Sequence, residues 1–209
     1  MADWATISSL ATAGGTLVLA AATYSAVRSS NRSARIAERA IQVGMRPVIM
    51  SSRIQDPAEK VGWFDSHWAK VPGGGAYAEE ADGNIYIAAS VRNVGDGIAV
   101  IQGWCPYVGL DPDRPRPEPG EFRRQTRDLY IPPGDVGFWQ AAIRDEGDVE
   151  YQPLLTAIKG RERLTVDLLY TDNEGAQRAI SRLGLFPREE SGWTCTIARV
   201  WNLDRRDPR

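Results

Sequence analysis

One stretch near the start of the chain constrains the fold more than any other. No charged residue occurs from Trp4 to Val27, and the stretch is rich in Ala, Leu, Thr and Ser. A bilayer core of about 30 Å is crossed by about 20 helical residues. Residues 1–27 are therefore predicted to form a transmembrane anchor. The small residues that interrupt the stretch also favour close packing between membrane helices.

The charges that flank this stretch predict its orientation. Only Asp3 precedes it, whereas a series of arginines from Arg28 to Arg46 follows it. A cleaved signal peptide carries its positive charge before the apolar core instead. The positive-inside rule then predicts an uncleaved, single-pass anchor in the cell membrane, with the N-terminus outside and the body in the cytoplasm. A buried or oligomerising helix in a soluble assembly is the alternative.

Residues 28–46 are predicted to continue this helix as a basic, amphipathic neck. No Pro or Gly occurs between Thr16 and Val43. Gly44 and Pro47 then end the helix, because Gly suits the position after a helix and Pro cannot continue one. The arginines of the neck recur at helical spacing and fall within about 60° of one another around the helix axis.

The first arginines of this stripe are candidates for membrane contact. Arg28, Arg32 and Arg35 are expected to meet anionic lipid headgroups, each contact contributing about 1 kcal/mol. Two alternatives are docking of the stripe on an acidic protein and a solvated face that only sets the topology. A short seam of small residues on the same helix also leaves homo-oligomerisation through the N-terminal helix open.

Beyond residue 47 the hydrophobic period changes from helical to strand-like. Alternating apolar residues and frequent turns predict a mainly β domain over residues 47–209, an antiparallel immunoglobulin-like β-sandwich with a barrel as the runner-up. The Asp-Gly pair in the turn 93–97 predicts a hairpin. Five prolines within 106–119 predict an exposed, extended loop. A short helix is expected near 149–159, and strands are expected at 47–54, 84–92, 98–108, 135–143, 162–170, 177–185 and 193–202.

Several turn motifs together resemble a known kind of protein. They are Arg46-Pro47 at a strand start, the run Asn93–Ala99, and Tyr170–Gly175 with Arg178. With the basic-flanked anchor and 22 Arg against 3 Lys, the chain resembles uncharacterised bacterial, actinobacterial-type single-pass membrane proteins with a C-terminal β-sandwich body. The resemblance implies the same architecture and brings no activity with it.

The residues that carry chemistry indicate no catalytic, cofactor-binding or metal site. His67 is the only histidine, and its neighbours Asp65 and Ser66 are too close in sequence to favour a triad, which is assembled from distant segments. Cys105 and Cys195 are expected to be buried, reduced thiols, and with one histidine they do not complete a structural zinc site. A balance of 25 basic against 27 acidic residues argues against nucleic-acid binding.

The best candidate for a partner surface lies after the proline-rich stretch. Arg123, Arg124 and Arg127 stand beside Phe122 and Tyr130, and arginines with aromatic residues concentrate binding energy at interfaces. A solvated loop is the alternative interpretation.

The function expected from these features is a membrane-tethered, non-enzymatic binding or accessory module. It needs no cofactor and engages another protein at the cytoplasmic membrane face. Two alternatives remain open: a structural subunit whose N-terminal helices oligomerise, and a carboxylate-based enzyme whose site is not visible from sequence spacing.

Overall fold

The computed structural model describes residues 3–188 and 192–206, which divide into two compact units. The first unit is helix α1, Trp4–Gly44, a continuous helix of 41 residues. The predicted helix through anchor and neck is confirmed, and it ends at Gly44 as the sequence indicated. The second unit is a β domain that begins at Met45.

Helix α1 presents an exposed surface along the residues whose side chains are described. Leu17, Val18 and Leu19 each leave at least 69% of their surface exposed. Within residues 3–188 and 192–206, no helix combines the length and the apolar character that a membrane crossing requires. The helix is therefore confirmed, whereas its insertion in a bilayer stays a prediction.

The β domain contains eleven strands and one α-helix within the described residues. The seven predicted strands and the short helix are all present, and four further strands were missed. The helix is α2 (Tyr151–Lys159), and a 3₁₀ turn covers Pro119–Glu121. The strands are β1 (Ile49–Ser51), β2 (Glu59–Gly62), β3 (Trp68–Val71), β4 (Gly75–Ala81), β5 (Asn84–Asn93), β6 (Ala99–Val108), β7 (Arg123–Ile131), β8 (Val136–Ile143), β9 (Leu164–Thr171), β10 (Arg178–Pro187) and β11 (Trp193–Asn202).

Nine of these strands form one antiparallel sheet that curls into a half-barrel. The order runs β5-β4-β11-β10-β9-β6-β7. Strand β8 pairs with the opposite edge of β5. Strand β1 pairs with the end of β5 that extends beyond β4. The mainly β, antiparallel class is confirmed. A single curled sheet is closer to the barrel alternative than to two sheets stacked face to face.

The inner face of the half-barrel and helix α2 enclose the main core. Leu154 and Ala157 of α2 are 1% exposed and belong to the same apolar cluster as the inward residues of the sheet. Helix α2 therefore packs on the concave side of the sheet. A second apolar cluster lies between the β2–β3 hairpin and the outer face of β5, where Val61 and Val71 pack near Tyr86.

The turn 93–97 does not connect a hairpin, so that prediction is wrong. Strand β5 pairs with β1, β4 and β8, whereas β6 pairs with β7 and β9. The turn instead lies against the segment through which the chain enters the β domain. A Cβ at Gly97 would stand 1.6 Å from the Met45 carbonyl oxygen, and one at Gly95 would stand 2.1 Å from that of Arg46. Glycine is needed here for close backbone approach, not for a hairpin turn.

Asn93, fully buried, holds this entry segment in place. Its Oδ1 accepts hydrogen bonds from the amides of Val48 and Gly95, both at 3.0 Å. Its Nδ2 donates to the carbonyls of Gly97 at 2.6 Å and Ile131 at 3.0 Å. Both lone pairs and both protons of the side-chain amide are therefore used, as burial of a polar group demands.

Arg46 belongs to this entry segment and not to the exposed arginine stripe that the sequence predicted. Its side chain is 11% exposed and forms an ion pair with Asp204. Its Nη1 also donates to Asn202 Oδ1 at 3.0 Å. The end of β11 and the start of the β domain are thereby joined.

The proline-rich stretch covers a buried ion pair on the outer face of the sheet. Arg182 and Asp167 are both nearly inaccessible and form two hydrogen bonds of 2.8 Å. Two further guanidinium protons are directed to the carbonyls of Arg114 and Pro115, at 2.8 and 3.1 Å. The predicted exposed loop is thus docked at its centre, because buried charges require complete hydrogen bonding.

Replacing Gly97 by Ala tests the role of the 93–97 turn. The added Cβ meets backbone rather than a movable side chain, so the free energy of unfolding of the full chain should fall by about 1–3 kcal/mol or more. Urea unfolding followed by tryptophan fluorescence measures the change. Gly120→Ala is the matched control, because a Cβ there meets no atom within 4 Å. Equal losses from both variants would contradict the packing argument.

Candidate functional site between β7 and β8

Strands β7 and β8 follow each other in the chain without forming a hydrogen-bonded pair. A turn at residues 132–135 joins them, yet within the described structure β7 pairs only with β6 and β8 only with β5. They are therefore the two edges of the half-barrel. We call the space between these edges the β7–β8 opening.

The end of the opening nearest the turn is closed by side-chain and backbone contacts. Asn93 Nδ2 donates to the Ile131 carbonyl, and the Asn93 carbonyl accepts from the Gly134 amide at 2.9 Å. A Cβ at Gly137 would lie only 3.2 Å from the Ile131 side chain, so the two strands lie close together here. Farther along, a side chain links them: Gln125 Nε2 donates to the Gln140 carbonyl at 3.0 Å.

A cleft of about 170 Å³ lies within the opening. Its lining combines aromatic rings, buried amides and arginines, a mixture typical of sites that bind polar, partly apolar groups. The lining residues are Trp63, Phe64, Trp104, Arg123, Arg124, Gln125, Thr126, Gln140, Ala141, Ala142 and Arg144.

Two buried acceptors in the cleft lack a hydrogen-bond donor. Gln125 and Gln140 are 9% and 5% exposed, and neither Oε1 atom is bonded to any described residue. A buried acceptor without a donor costs about 1–3 kcal/mol. Because neither oxygen has accessible surface, a bound molecule removes this cost only if the side chain rotates to bring its Oε1 to an N–H or O–H group.

The structure divides the five predicted partner-surface residues into two groups. Phe122 is partly buried against the cluster of Leu169, Ile180 and Trp201 and so adds little to an exposed surface. Arg123 is half-buried and is discussed next. The other three residues, Arg124, Arg127 and Tyr130, are exposed. They lie on strand β7 and not in the solvated loop that was the alternative interpretation.

Arg123 fixes the beginning of β7 to the loop before α2. Its Nη1 donates to Asp148 and its Nε to Glu150, both at 2.7 Å, and its guanidinium lies 5.4 Å from the centre of a Trp104 ring. The hydrogen bond from Arg123 lowers the pKa of Asp148. The charge of Arg123 is thus neutralised within the domain. Its role at the cleft is to hold the start of β7 in position.

Strand β7 arches away from its partner in the middle. It pairs with β6 at Arg123–Arg124 and again at Leu129–Ile131, with a shift of register between Ile101 and Gly103 of β6. Residues 125–128 thus oppose a single residue of β6. Sequence reasoning missed β7 because its residues 123–128 are all polar and show no alternation. The feature that marked β7 in the sequence was its arginine-rich composition.

The turn of the β2–β3 hairpin borders the cleft and is tied to β8. The carboxylate of Asp65 accepts hydrogen bonds from Tyr86 Oη at 2.7 Å and from Arg144 Nη2 at 2.8 Å. Phe64, in the same turn, is 79% exposed at the rim. Partial burial would raise the pKa of Asp65, but the hydrogen bonds from Tyr86, Arg144 and the His67 amide outweigh it and lower the pKa to about 2.

His67 lies among aromatic rings. It stacks on Tyr86 with ring centres 3.9 Å apart, and its Nε2 lies 2.9 Å from Tyr77 Oη. Tyr77 in turn donates to Glu79. Asp65 is directed to Tyr86 and Arg144 instead of the His67 ring, so these residues do not form a triad.

Cys105 and Cys195 are buried free thiols. Burial raises the pKa of Cys105 to about 11 and that of Cys195 to about 12, so neither is a thiolate nucleophile at neutral pH. Across the described ranges, no three His, Cys, Asp or Glu side chains are grouped to hold a metal ion.

The predicted lipid-contacting arginines occupy one side of helix α1. Arg28, Arg32 and Arg35 are exposed and lie along a shallow groove with Tyr24 and Val27. Their steps of four and three residues keep them on one face. Their contact with lipid stays a prediction.

The chain was also compared with known proteins. No family model matches it, and no curated protein is similar to it. The candidate site therefore rests on its own geometry.

Replacing Asp65 by Asn tests the link between the hairpin turn and β8. Because the folded-state pKa of about 2 is below the ordinary value of 3.8, the charged carboxylate stabilises the fold above about pH 4 and loses this effect as the pH falls toward 2. The difference in unfolding free energy between native chain and variant should therefore be constant near neutrality and shrink between about pH 4 and 2. Glu174→Gln, at an exposed turn, is the control. A pH-independent difference for Asp65→Asn would contradict the assignment.

Proposed function

We propose that the chain is a membrane-tethered, non-enzymatic binding module whose β domain engages another protein. The observation that carries this proposal is the β7–β8 opening. It combines two unpaired sheet edges, a polar cleft with unsatisfied acceptors, and exposed arginine and aromatic side chains. Exposed edges are templates for pairing with another chain, and proteins often use them for recognition.

The tether is supported by helix α1 and its charge pattern. The uncharged run Trp4–Val27 and the exposed arginines after it lie in one continuous helix. We propose a single pass through the cell membrane, with the N-terminus outside and the β domain in the cytoplasm. The resemblance to bacterial single-pass membrane proteins implies the same topology.

A second candidate is assembly of several chains through the same helix. It is favoured by Gly14 and Gly15, at which an added Cβ would meet no atom within 4 Å. Small residues let helix backbones approach closely.

Membrane association is tested by flotation of the full chain with vesicles of phosphatidylcholine and phosphatidylglycerol. The chain should float and resist carbonate extraction, and deletion of residues 1–27 should release it. Changing Arg28, Arg32 and Arg35 to Gln should reduce the salt-sensitive part of the binding, since these charges act within about 8 Å at physiological salt. Arg53→Gln is the control in the β domain. A full chain that stays soluble without lipid or detergent would contradict the tether.

Partner binding is tested by photo-crosslinking in intact cells. A photoreactive residue at Arg124 or Tyr130 should give one discrete crosslinked product, because both side chains are exposed on β7. The same residue at Arg163, which is exposed elsewhere, is the control. The captured protein is identified by mass spectrometry and must rebind the purified full chain. Identical products from the control position, or no product from β7, would contradict the binding role.

A further inference from the structure

We propose that the β7–β8 opening receives an extended, acidic segment of a protein partner. This inference rests on the proposed binding function and specifies the chemistry of what is bound. The segment lies along the free edge of β7, places a donor group in the cleft, and pairs its carboxylates with Arg124 and Arg127 of β7.

The free backbone of β7 argues for an extended segment. Residues 125–128 lie between the two stretches of β7 that pair with β6, and the ladder of β8 is formed with β5. The carbonyl and amide groups of this arch therefore have no partner in the ladder with β6 or with β8. An extended segment satisfies such groups through main-chain hydrogen bonds, as in other cases of strand addition.

The cleft argues for a hydrogen-bond donor. Oε1 of Gln125 and Oε1 of Gln140 both lie in a nine-tenths buried side chain at the cleft and have no donor. Neither oxygen is accessible in this conformation, so rotation of the side chain toward the cleft is needed to bring its Oε1 to a backbone amide of the bound segment. Beside them, the exposed ring of Phe64 offers an apolar contact for a neighbouring side chain of the segment.

The charges around the opening argue for acidic side chains. Arg123 and Arg144 are engaged with Asp148, Glu150 and Asp65. Arg124 and Arg127 are exposed and form no ion pair with any residue in 3–188 or 192–206.

A neighbouring groove continues this positive charge. Arg178 and Arg124 line it together with Asp128, whose carboxylate offsets one of the charges. The arch and groove therefore carry three arginines against one aspartate, a surface complementary to carboxylates.

The probe is a fluorescein-labelled peptide of ten residues in which glutamate and valine alternate. Its binding to the full chain in detergent micelles is followed by fluorescence anisotropy. The glutamate peptide should bind and weaken with added salt, whereas a peptide of alternating lysine and valine should not bind. Equal binding of both peptides, or binding of neither, would overturn the proposal.

Two sets of variants locate the binding. Arg124→Gln with Arg127→Gln should weaken binding of the glutamate peptide about tenfold, because charge-assisted hydrogen bonds are the stronger ones. Arg53→Gln, an exposed arginine outside the opening, should leave binding unchanged. Loss of affinity in the control to the same extent would overturn the assignment to β7.

Gln140→Met separates a binding role from a structural one. It keeps the side-chain size and removes a buried acceptor that has no donor, so the thermal midpoint should stay equal or rise. Affinity for the glutamate peptide should fall about fivefold, the effect of losing one modest hydrogen bond. Unchanged affinity in this variant would overturn the role of the cleft.

The two levels of the proposal fail separately. A crosslinked partner at β7 together with no binding of the glutamate peptide leaves the binding function standing and overturns the acidic segment. Absence of a crosslinked partner overturns the binding function itself.

Discussion

The buried side chain of Asn93 is the contact on which the rest of the β domain depends. It bonds the entry segment at Val48, the turn at Gly95 and Gly97, and the end of β7 at Ile131. Its main-chain groups bond Asp135 and Gly134 in the turn before β8. One residue thereby fixes where the chain enters the domain and where the half-barrel edges meet. An apolar replacement would leave several buried backbone groups without partners, which is costly because each must be satisfied.

The position of that contact also explains why the opening exists. It holds β7 and β8 together at their shared turn, while the arch at residues 125–128 and the Gln125 bridge keep the remainder from pairing. The lining of the cleft retains two unsatisfied acceptors, a local cost that a ligand recovers if these side chains turn toward it. The exposed arginines on β7 oppose indiscriminate edge-to-edge association, since charge on an edge strand disfavours it.

Sequence reasoning failed at this region for identifiable reasons. The Asp-Gly turn at 96–97 carries a hairpin pattern, but its glycines serve the close approach of Met45 and Arg46, whose positions are unknown until the domain is folded. Arg46 follows the helical spacing of the stripe, yet its partner Asp204 comes from the far end of the chain. The short strands β2 and β3 carry lysines on their outer faces, so their apolar positions are too few to show a period.

The sequence by itself determined the helix to Gly44, the mainly β class of the rest, the buried thiols and the exposure of Arg124 and Arg127. These features follow from local rules: helix propensity, two-residue alternation, turn chemistry and charge, each readable within a few neighbouring residues. Only the tertiary structure decided that the strands curl into one sheet, that β7 and β8 stay apart, and that Arg123 is neutralised by Asp148 and Glu150. It also decided that Gln125 and Gln140 meet in one cleft. Pairing between distant strands sets these relations, and it depends on how the whole core is buried, which no short segment encodes.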